Sequence, residues 1–505
     1  MRIPSLPRPT FFVLFIAAIC CPDVSAQYDG ATEVPQRFRE GFRSITEKDS
    51  ESLLTVLASS DFSGRGTGQE GFMKAAQWFS TQLADRGFQP AGDDGSWFQM
   101  LPFNVTQIDG EFTKLNIGKT TILPGNDFGV ENYFGTFEGK LPVTFARVTK
   151  KRPEFEDGAF AGRLLVVQSA NRIAANDVLI VKGRPACIIV VERDSRVRSQ
   201  SVSQLTRTPS AVPLAKLGIT IANKLAAGCE ISADFFAEKN PENNQLMTSS
   251  SELDVHLKVE HESIDVPNVV GWYPGSDESL RDEHVCIGAH LDHLGIQQGS
   301  VYPGADDNGS GSTSILQIAG AIHTNSEKPK RSVLLMAFCA EERGLLGSKH
   351  YAANPLRPLK DMVCMLNIDM IGRNEESDKE SASENENTIH LVGSRKISNQ
   401  LHELTLAANQ HVNFVFEYDQ EGVYNRSDHA SFAKKGVPIT FLFGGFTPHY
   451  HKPTDTLAGI NFSKIANCAR LDYLTLMMAA EHGHFEKNPE ENPKENPKED
   501  TKKSQ

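Results

Sequence analysis

The sequence predicts an α/β protein: a mostly parallel central sheet flanked by helices, interrupted by an inserted, β-rich α+β module. Three observations predict it. From about residue 255 onward, short apolar runs alternate with helical patterns, and such alternation implies a parallel sheet covered on both faces. Between 134 and 254 the texture changes to closely spaced strand-like runs, among them RLLVVQ, DVLIVKG and ACIIVVERD. Several apolar runs after 255 end in a carboxylate or an imidazole, at the carboxyl ends of strands where open α/β sheets place their sites.

At the N-terminus, Arg2 and Arg8 precede an apolar stretch from Phe11 to Cys20, and Val24, Ser25 and Ala26 follow. That is a signal-peptide pattern over residues 1–26, so a secreted or periplasmic location is expected. The stretch is too short to span a bilayer. A lipid anchor on Cys20 or Cys21 is the competing reading, but Ile19 is a poor residue before a lipidated cysteine.

Residues 27–133 read as the first part of the main domain. Phe72, Ala76, Phe79 and Leu83 repeat at helical spacing, and Gly87 follows as a stop. Just ahead lies GTGQEG, a formal G-x-G-x-x-G. A dinucleotide fingerprint needs a buried strand immediately before it, whereas ASSDFSGR is polar, so that meaning is set aside. The module at 134–254 adds, after its strands, the helical SAVPLAKLGITIANKLAAG.

From 255 to 485 the strand candidates are Val285 to Ile287, Val333 to Phe338, Met362 to Ile368 and Pro438 to Phe443. The helix candidates are Ser314 to His323, Leu401 to Gln410 and Phe462 to Ala480. NEESDKESASENEN reads as an acidic loop, and the tail 486–505, which repeats Asn-Pro among alternating charges, cannot bury enough apolar surface to order itself.

The 505 residues carry Lys+Arg 51 against Asp+Glu 64, a net charge of −13. That balance argues against nucleic acid or an anionic membrane as the main partner. Beyond the signal, Cys187, Cys229, Cys286, Cys339, Cys364 and Cys468 form no C-x-x-C pair, and four of them sit within apolar runs. They read as small buried hydrophobes.

The strand exits carry the chemistry. GAHLDHLG follows the first core strand and YPGADDNGSG comes about a dozen residues later. MAFCAEERG ends the next strand, MLNIDMIG the one after, and TPHYHKPTDT follows PITFLFGGF. One such residue alone is more often a core histidine or a helix cap. Five exits at one sheet end gather carboxylates that repel unless a cation neutralises them. Imidazoles with carboxylates and no cysteine suit zinc or a neighbouring transition metal. The number of ligands exceeds one catalytic zinc and fits two ions roughly 3.5–4 Å apart sharing a carboxylate. There is no H-E-x-x-H helix.

These motifs, together with SDHASF and the N-terminal SSDFSGRGTGQEG and GFQPAGDDG, resemble in order and spacing the M28 family of co-catalytic zinc aminopeptidases. The 134–254 insertion resembles a protease-associated domain. The resemblance implies two Zn²⁺ and peptide substrates. It implies that His290 binds one zinc, that Asp307 bridges both, that Glu342 and His451 hold the first ion, and that Asp369 completes the second. Glu341 is the implied general base acting on a metal-bridging water. Neighbours on an extended chain point opposite ways, which lets Glu342 ligate while Glu341 faces the water. Asp292, two residues from His290, is expected to orient its imidazole.

Tyr424 and Tyr450 both occupy positions used in the family for an oxyanion donor. His293 and His449 are read as bystanders, because the pattern places the ligands at His290 and His451. Asp306 is read as loop support. Asn308 opens an Asn-Gly-Ser sequon that a sugar could occupy only by blocking the metal loop. The alternatives are a carboxypeptidase, a dipeptide-releasing exopeptidase or a glutaminyl cyclase on the same site, or a non-catalytic receptor-like protein on the same scaffold. Loss of ligands would mark the last, and all are present.

Overall fold

The computed structural model describes residues 27–489 apart from 126–127, 131–134, 149–155, 170–181, 193–199, 205–211, 238–243 and 298. The expected signal segment 1–26, most of DVLIVKG and the tail from 490 lie outside the described residues.

Helices α1 (Arg39–Ser44), α2 (Glu47–Leu57) and α3 (Glu70–Asp85) come first. Thr46 caps α2 by accepting a hydrogen bond from the Asp49 amide, which satisfies one of the unpaired N–H groups of a helix start. In α3 the expected stripe Phe72, Ala76, Phe79 and Leu83 is fully buried, and Gly87, at φ +75°, turns the chain away. Strand β1 (Phe98–Ile108) follows.

The inserted module is built on β2 (Gly135–Val148), β3 (Leu164–Ser169), β4 (Cys187–Glu192) and β5 (Leu214–Gly218). These four run parallel in that order, with α4 (Ile219–Gly228) after the last. Its apolar core gathers residues from Leu115 to Val259. A single 29-residue strand, β6 (Gln245–Tyr273), then runs out of it: the first half pairs antiparallel with β2, and the second half with β1. The boundary expected at 254/255 therefore falls inside one strand that serves both cores.

The C-terminal part supplies β7 (His284–His290), α5 (Gly311–Thr324), β8 (Ser332–Phe338), α6 (Leu346–Ala353) and β9 (Met362–Asp369). After these come β10 (Thr388–Val392), α7 (Asn399–Asn409), β11 (Val415–Glu417), α8 (His429–Ala433), β12 (Ile439–Phe443) and α9 (Phe462–His482). The sheet order is β1-β6-β8-β7-β9-β12-β10-β11. Its four middle strands, β8, β7, β9 and β12, are parallel, while β6 and β10 join them antiparallel.

In β8, Val333, Leu335 and Ala337 pack into the core on one face and Leu334, Met336 and Phe338 into the core on the other. Burial on both faces is why the strand reads as an unbroken apolar run rather than an alternation. Each of the larger of these side chains, Val, Leu, Met or Phe, fully removed from water stabilises the fold by about 1.5–3 kcal/mol. The six cysteines beyond the signal are all buried and all free. Among the described residues, no helix is long and apolar enough to cross a membrane.

Candidate metal centre and cleft

Because the middle strands are parallel, their carboxyl ends meet along one edge, where His290 ends β7 and Asp369 ends β9. Two residues beyond β8, Ala340 sits at φ +53°, a left-handed turn that a Cβ-bearing residue adopts only at a cost. It bends the chain so that Glu341 and Glu342 leave the strand in different directions. Asp307 arrives on the loop before α5, and its peptide bond to Asn308 is cis.

The donor atoms form two groups that share Asp307. In one, His290 Nε2 lies 3.2 Å from Asp369 Oδ1 and 3.4 Å from Asp307 Oδ1. In the other, His451 Nε2 lies 3.1 Å from both Asp307 Oδ2 and Glu342 Oε2. His293 belongs to this second group, with Nδ1 2.9 Å from Glu342 Oε1.

The residues fit a divalent metal pair. Three carboxylates and three imidazoles are gathered, all but His451 nearly out of water, and Glu342 Oε1 and both ring nitrogens of His293 make no hydrogen bond among the described residues. Buried polar atoms are rarely left so, and nitrogen-oxygen donor sets of this kind suit zinc. A third cluster, Glu375, His390 and Glu417, is different, because its imidazole Nε2 is already engaged at 2.8 Å by Glu375 Oε2.

The adjacent glutamates are electrostatically split. Burial, reinforced by Glu342 and Asp369, drives the Glu341 carboxyl well above the usual carboxylate range. Burial and Asp307 also press on Glu342, yet contact with His293 and His451 holds it down to about 2. Two carboxyl groups pushed apart in this way are suited to different tasks, one holding a proton and the other holding a cation.

The carboxylate of Asp292 departs from the expected arrangement. His290 Nδ1 lies 2.9 Å from the backbone carbonyl of Asp292, while the carboxylate stands 3.8 Å away. That carboxylate instead accepts from Thr67 Oγ1 at 2.7 Å and from the Glu341 amide at 3.0 Å. It therefore fixes the turn carrying Glu341 and reaches the imidazole through charge alone, the hydrogen bond of Nδ1 being made to the Asp292 backbone carbonyl.

The two tyrosines separate. Tyr450 lines the cleft, its ring stacked on His451 at 3.8 Å between centroids, and its hydroxyl accepts from Arg426 Nη2 at 3.2 Å. Burial and the neighbouring carboxylates Asp307 and Glu342 keep its phenol protonated. Tyr424 lies outside the cleft: its ring fills the space a side chain at Gly393 would need, with Lys396 Nζ 3.8 Å above it. His449 stays outside the cluster, its Nδ1 3.0 Å from Thr454 Oγ1. Asn308 is buried and bonded to the Ile368 carbonyl and the Gly311 amide, which leaves no room for a sugar.

Residues that the sequence reading passed over do much of the positioning. Asp455, in the TDT of the last motif, accepts from the amides of Asp306 and Asp307 and pairs with buried Arg373 at 3.2 Å. Asp306 accepts from the amides of Gly372 and Arg373, in keeping with loop support. Arg65 is fully buried and donates to the carbonyls of Leu57, Leu291, Pro303 and Gly304. The Gly66 backbone bridges His293 in parallel, and a Cβ there would stand 2.9 Å from Gly295 Cα. Gly66, the first residue of GTGQEG, thus braces the loop that carries His293.

The cleft holds about 340 Å³ of open space. His290, Asp307, Glu341, Asp369 and His451 form its polar end, and Met370, Val423, Phe441, Phe443 and Phe446 its apolar wall.

The description "Peptidase family M28" fits residues 268–475, from the last residues of β6 into α9. Those residues are a peptidase family M28 domain. A probable leucine aminopeptidase of Arthroderma benhamiae is 30% identical over 214 residues, covering 41% of this chain and 55% of its own. The chain spans about half the length of the curated relatives it matches. An aminopeptidase from Aneurinibacillus sp. strain AM-1 shares the fold at TM-score 0.60 and 20% identity, over 90% of this chain and 98% of that one. BSAP, a zinc aminopeptidase from Bacillus subtilis, does so at TM-score 0.60 and 18% identity, over 89% and 96%. In the M28 domain every residue that the motifs nominated as a metal ligand lies within the two donor groups.

Proposed function

We propose that this chain is an exported, co-catalytic di-zinc aminopeptidase that removes N-terminal residues from peptides. What carries the reading is the pair of donor groups sharing Asp307, with Glu341 opening onto the same cleft. His290, Asp307 and Asp369 would hold one ion, and Asp307, Glu342 and His451 the other. When bound, the ions would polarise the scissile carbonyl and lower the pKa of a water.

Glu341, which opens onto the cleft, is the general base: as the carboxylate it accepts a proton from the attacking water and returns it to the leaving amine. Tyr450, whose hydroxyl oxygen already accepts from Arg426, has its own proton free to donate to the developing oxyanion. The apolar wall of Met370, Val423, Phe441, Phe443 and Phe446 suits a large apolar first residue. The 134–254 module is read as protease-associated, lying beside the catalytic domain as a substrate-binding element.

The test is zinc content together with amine release from free and N-acetylated aminoacyl nitroanilides. About two zincs, turnover of the free-amine substrates alone, and loss on chelation reversed by zinc are expected. Two zincs without turnover of either substrate would overturn the aminopeptidase reading and favour the carboxypeptidase, dipeptide-releasing or cyclase alternatives.

A further inference from the structure

His293 has no part in the ligand set that the motifs imply, yet its surroundings are those of a ligand. The side chain is wholly buried, and its ring occupies the space that a Cβ on Gly304 would take, 2.5 Å from Cγ. Gly304 is at φ +61°, so the position suits glycine on both counts. Nδ1 stands 2.9 Å from Glu342 Oε1 and 3.8 Å from Asp307 Oδ2. The first pair is close enough to bond, yet neither atom makes a hydrogen bond with any described residue, as when both are aimed at a common point.

His451 Nε2 lies 3.1 Å from Asp307 Oδ2 and 3.1 Å from Glu342 Oε2, so Glu342 presents Oε1 to His293 and Oε2 to His451. Around a tetrahedral zinc with bonds near 2.0–2.1 Å, donor atoms sit about 3.3 Å apart. The separations here, 2.9, 3.1, 3.1 and 3.8 Å, taken over both oxygens of Glu342, are of that order.

We propose that His293 is a fourth protein ligand to the ion held by Asp307, Glu342 and His451, making the two metal positions unequal. The inference rests on the di-zinc reading. One position has two imidazoles and two carboxylates; the other has only His290, Asp307 and Asp369. His290, Asp307 and Asp369 all line the cleft, whereas of the four-ligand set only Asp307 and His451 do. The four-ligand position, with one donor more, is thus the better retained one. The three-ligand position faces substrate and keeps an open coordination site, as catalytic zinc does.

The experiment uses the full mature chain, wild type and His293→Ala and His293→Gln, with folding checked by circular dichroism. Zinc is measured directly and its affinity by competition with a chromophoric chelator. Cobalt(II) replaces the first equivalent for visible and paramagnetic NMR spectra. Wild type should bind two zincs of unequal affinity. Both variants should weaken the tighter class by about 100-fold or more, beyond the loss typical of an outer partner, and change the cobalt d–d bands.

Because substitutions in so buried a loop risk misfolding, the wild-type di-cobalt form carries a second reading. It should show three shifted, exchangeable imidazole N–H signals, from His290, His293 and His451. Two signals only, unchanged affinities in folded variants, or weakened affinity with unaltered cobalt bands would each overturn direct ligation. Absence of zinc from the wild type would overturn the di-zinc reading itself, a separate failure.

Discussion

Replacing Arg65 with Met should cost the peptidase core about 3–5 kcal/mol, because it leaves buried carbonyls without their donor at about 1–3 kcal/mol each. The guanidinium donates from Nε to Leu291 O at 2.9 Å, from Nη1 to Leu57 O at 2.6 Å and Pro303 O at 2.9 Å, and from Nη2 to Gly304 O at 2.7 Å. Hydrogen bonds from a charged donor contribute about 1.5–3 kcal/mol each, so four gross about 6–12 kcal/mol. Burying the guanidinium offsets several kcal/mol of that. Burial also lowers its pKa, to about 10, so it stays charged at neutral pH.

Urea unfolding of the metal-free protein isolates the effect from metal linkage. Tryptophan fluorescence is the probe, because the chain's three tryptophans, Trp78, Trp97 and Trp272, all pack in the peptidase cores and none in the inserted module. Arg65→Lys separates charge from geometry: one ammonium cannot reach carbonyls spread around a planar fork, so it should lose more than half as much. A Met variant within about 1 kcal/mol of wild type, the scale of one ordinary hydrogen bond, would refute the argument that this side chain ties three segments together.

Other outcomes follow from the site. Glu341→Gln should lower kcat by about 10²- to 10⁴-fold, as loss of a general base does, with zinc content unchanged; a smaller kinetic loss counts against its role. Tyr450→Phe should lower kcat about 100-fold with little change in KM, and Tyr424→Phe should leave both near wild type; equal effects at the two positions would contradict the placement. His284, buried beside Trp272, has its pKa lowered to about 4 by burial. Between pH 6.5 and 4 the unfolded chain binds this proton and the fold does not, so stability should fall with pH by about 1.4 kcal/mol per unit. His284→Phe should remove that slope, which parallel urea titrations at pH 7 and pH 4.5 would detect.

Much of the architecture was legible because it is local. Continuous apolar runs such as Val333 to Phe338 mark strands buried on both faces, and the Phe72–Leu83 stripe marks a helix with one. The motif residues were legible because parallel strands deliver their ends to one edge. What escaped reading is what depends on distant approach. Arg65 meets carbonyls more than two hundred residues away, and nothing beside it in sequence announces a buried charge. Asp455 looks like part of a turn until its carboxylate is seen under the amides of Asp306 and Asp307. His293 was indistinguishable from a bystander because a histidine three residues from a ligand on an irregular loop can point anywhere, and only the bare Cα of Gly304 lets it turn inward. The tyrosines separated for a similar reason: Tyr424 is diverted by the gap over Gly393.

The strand that runs from Gln245 to Tyr273 has a mechanical meaning. Its backbone stays extended throughout, interrupted only by a register shift between Thr248 and Glu252, so beyond that irregularity it provides no joint at which the inserted module could swing. Its far end, Val269–Tyr273, is laddered to Val333–Ala337, four residues short of the glutamate that faces the cleft. The two cores are thus joined through one continuous strand, and a twist of the module would be carried toward β8, the strand that leads into Glu341.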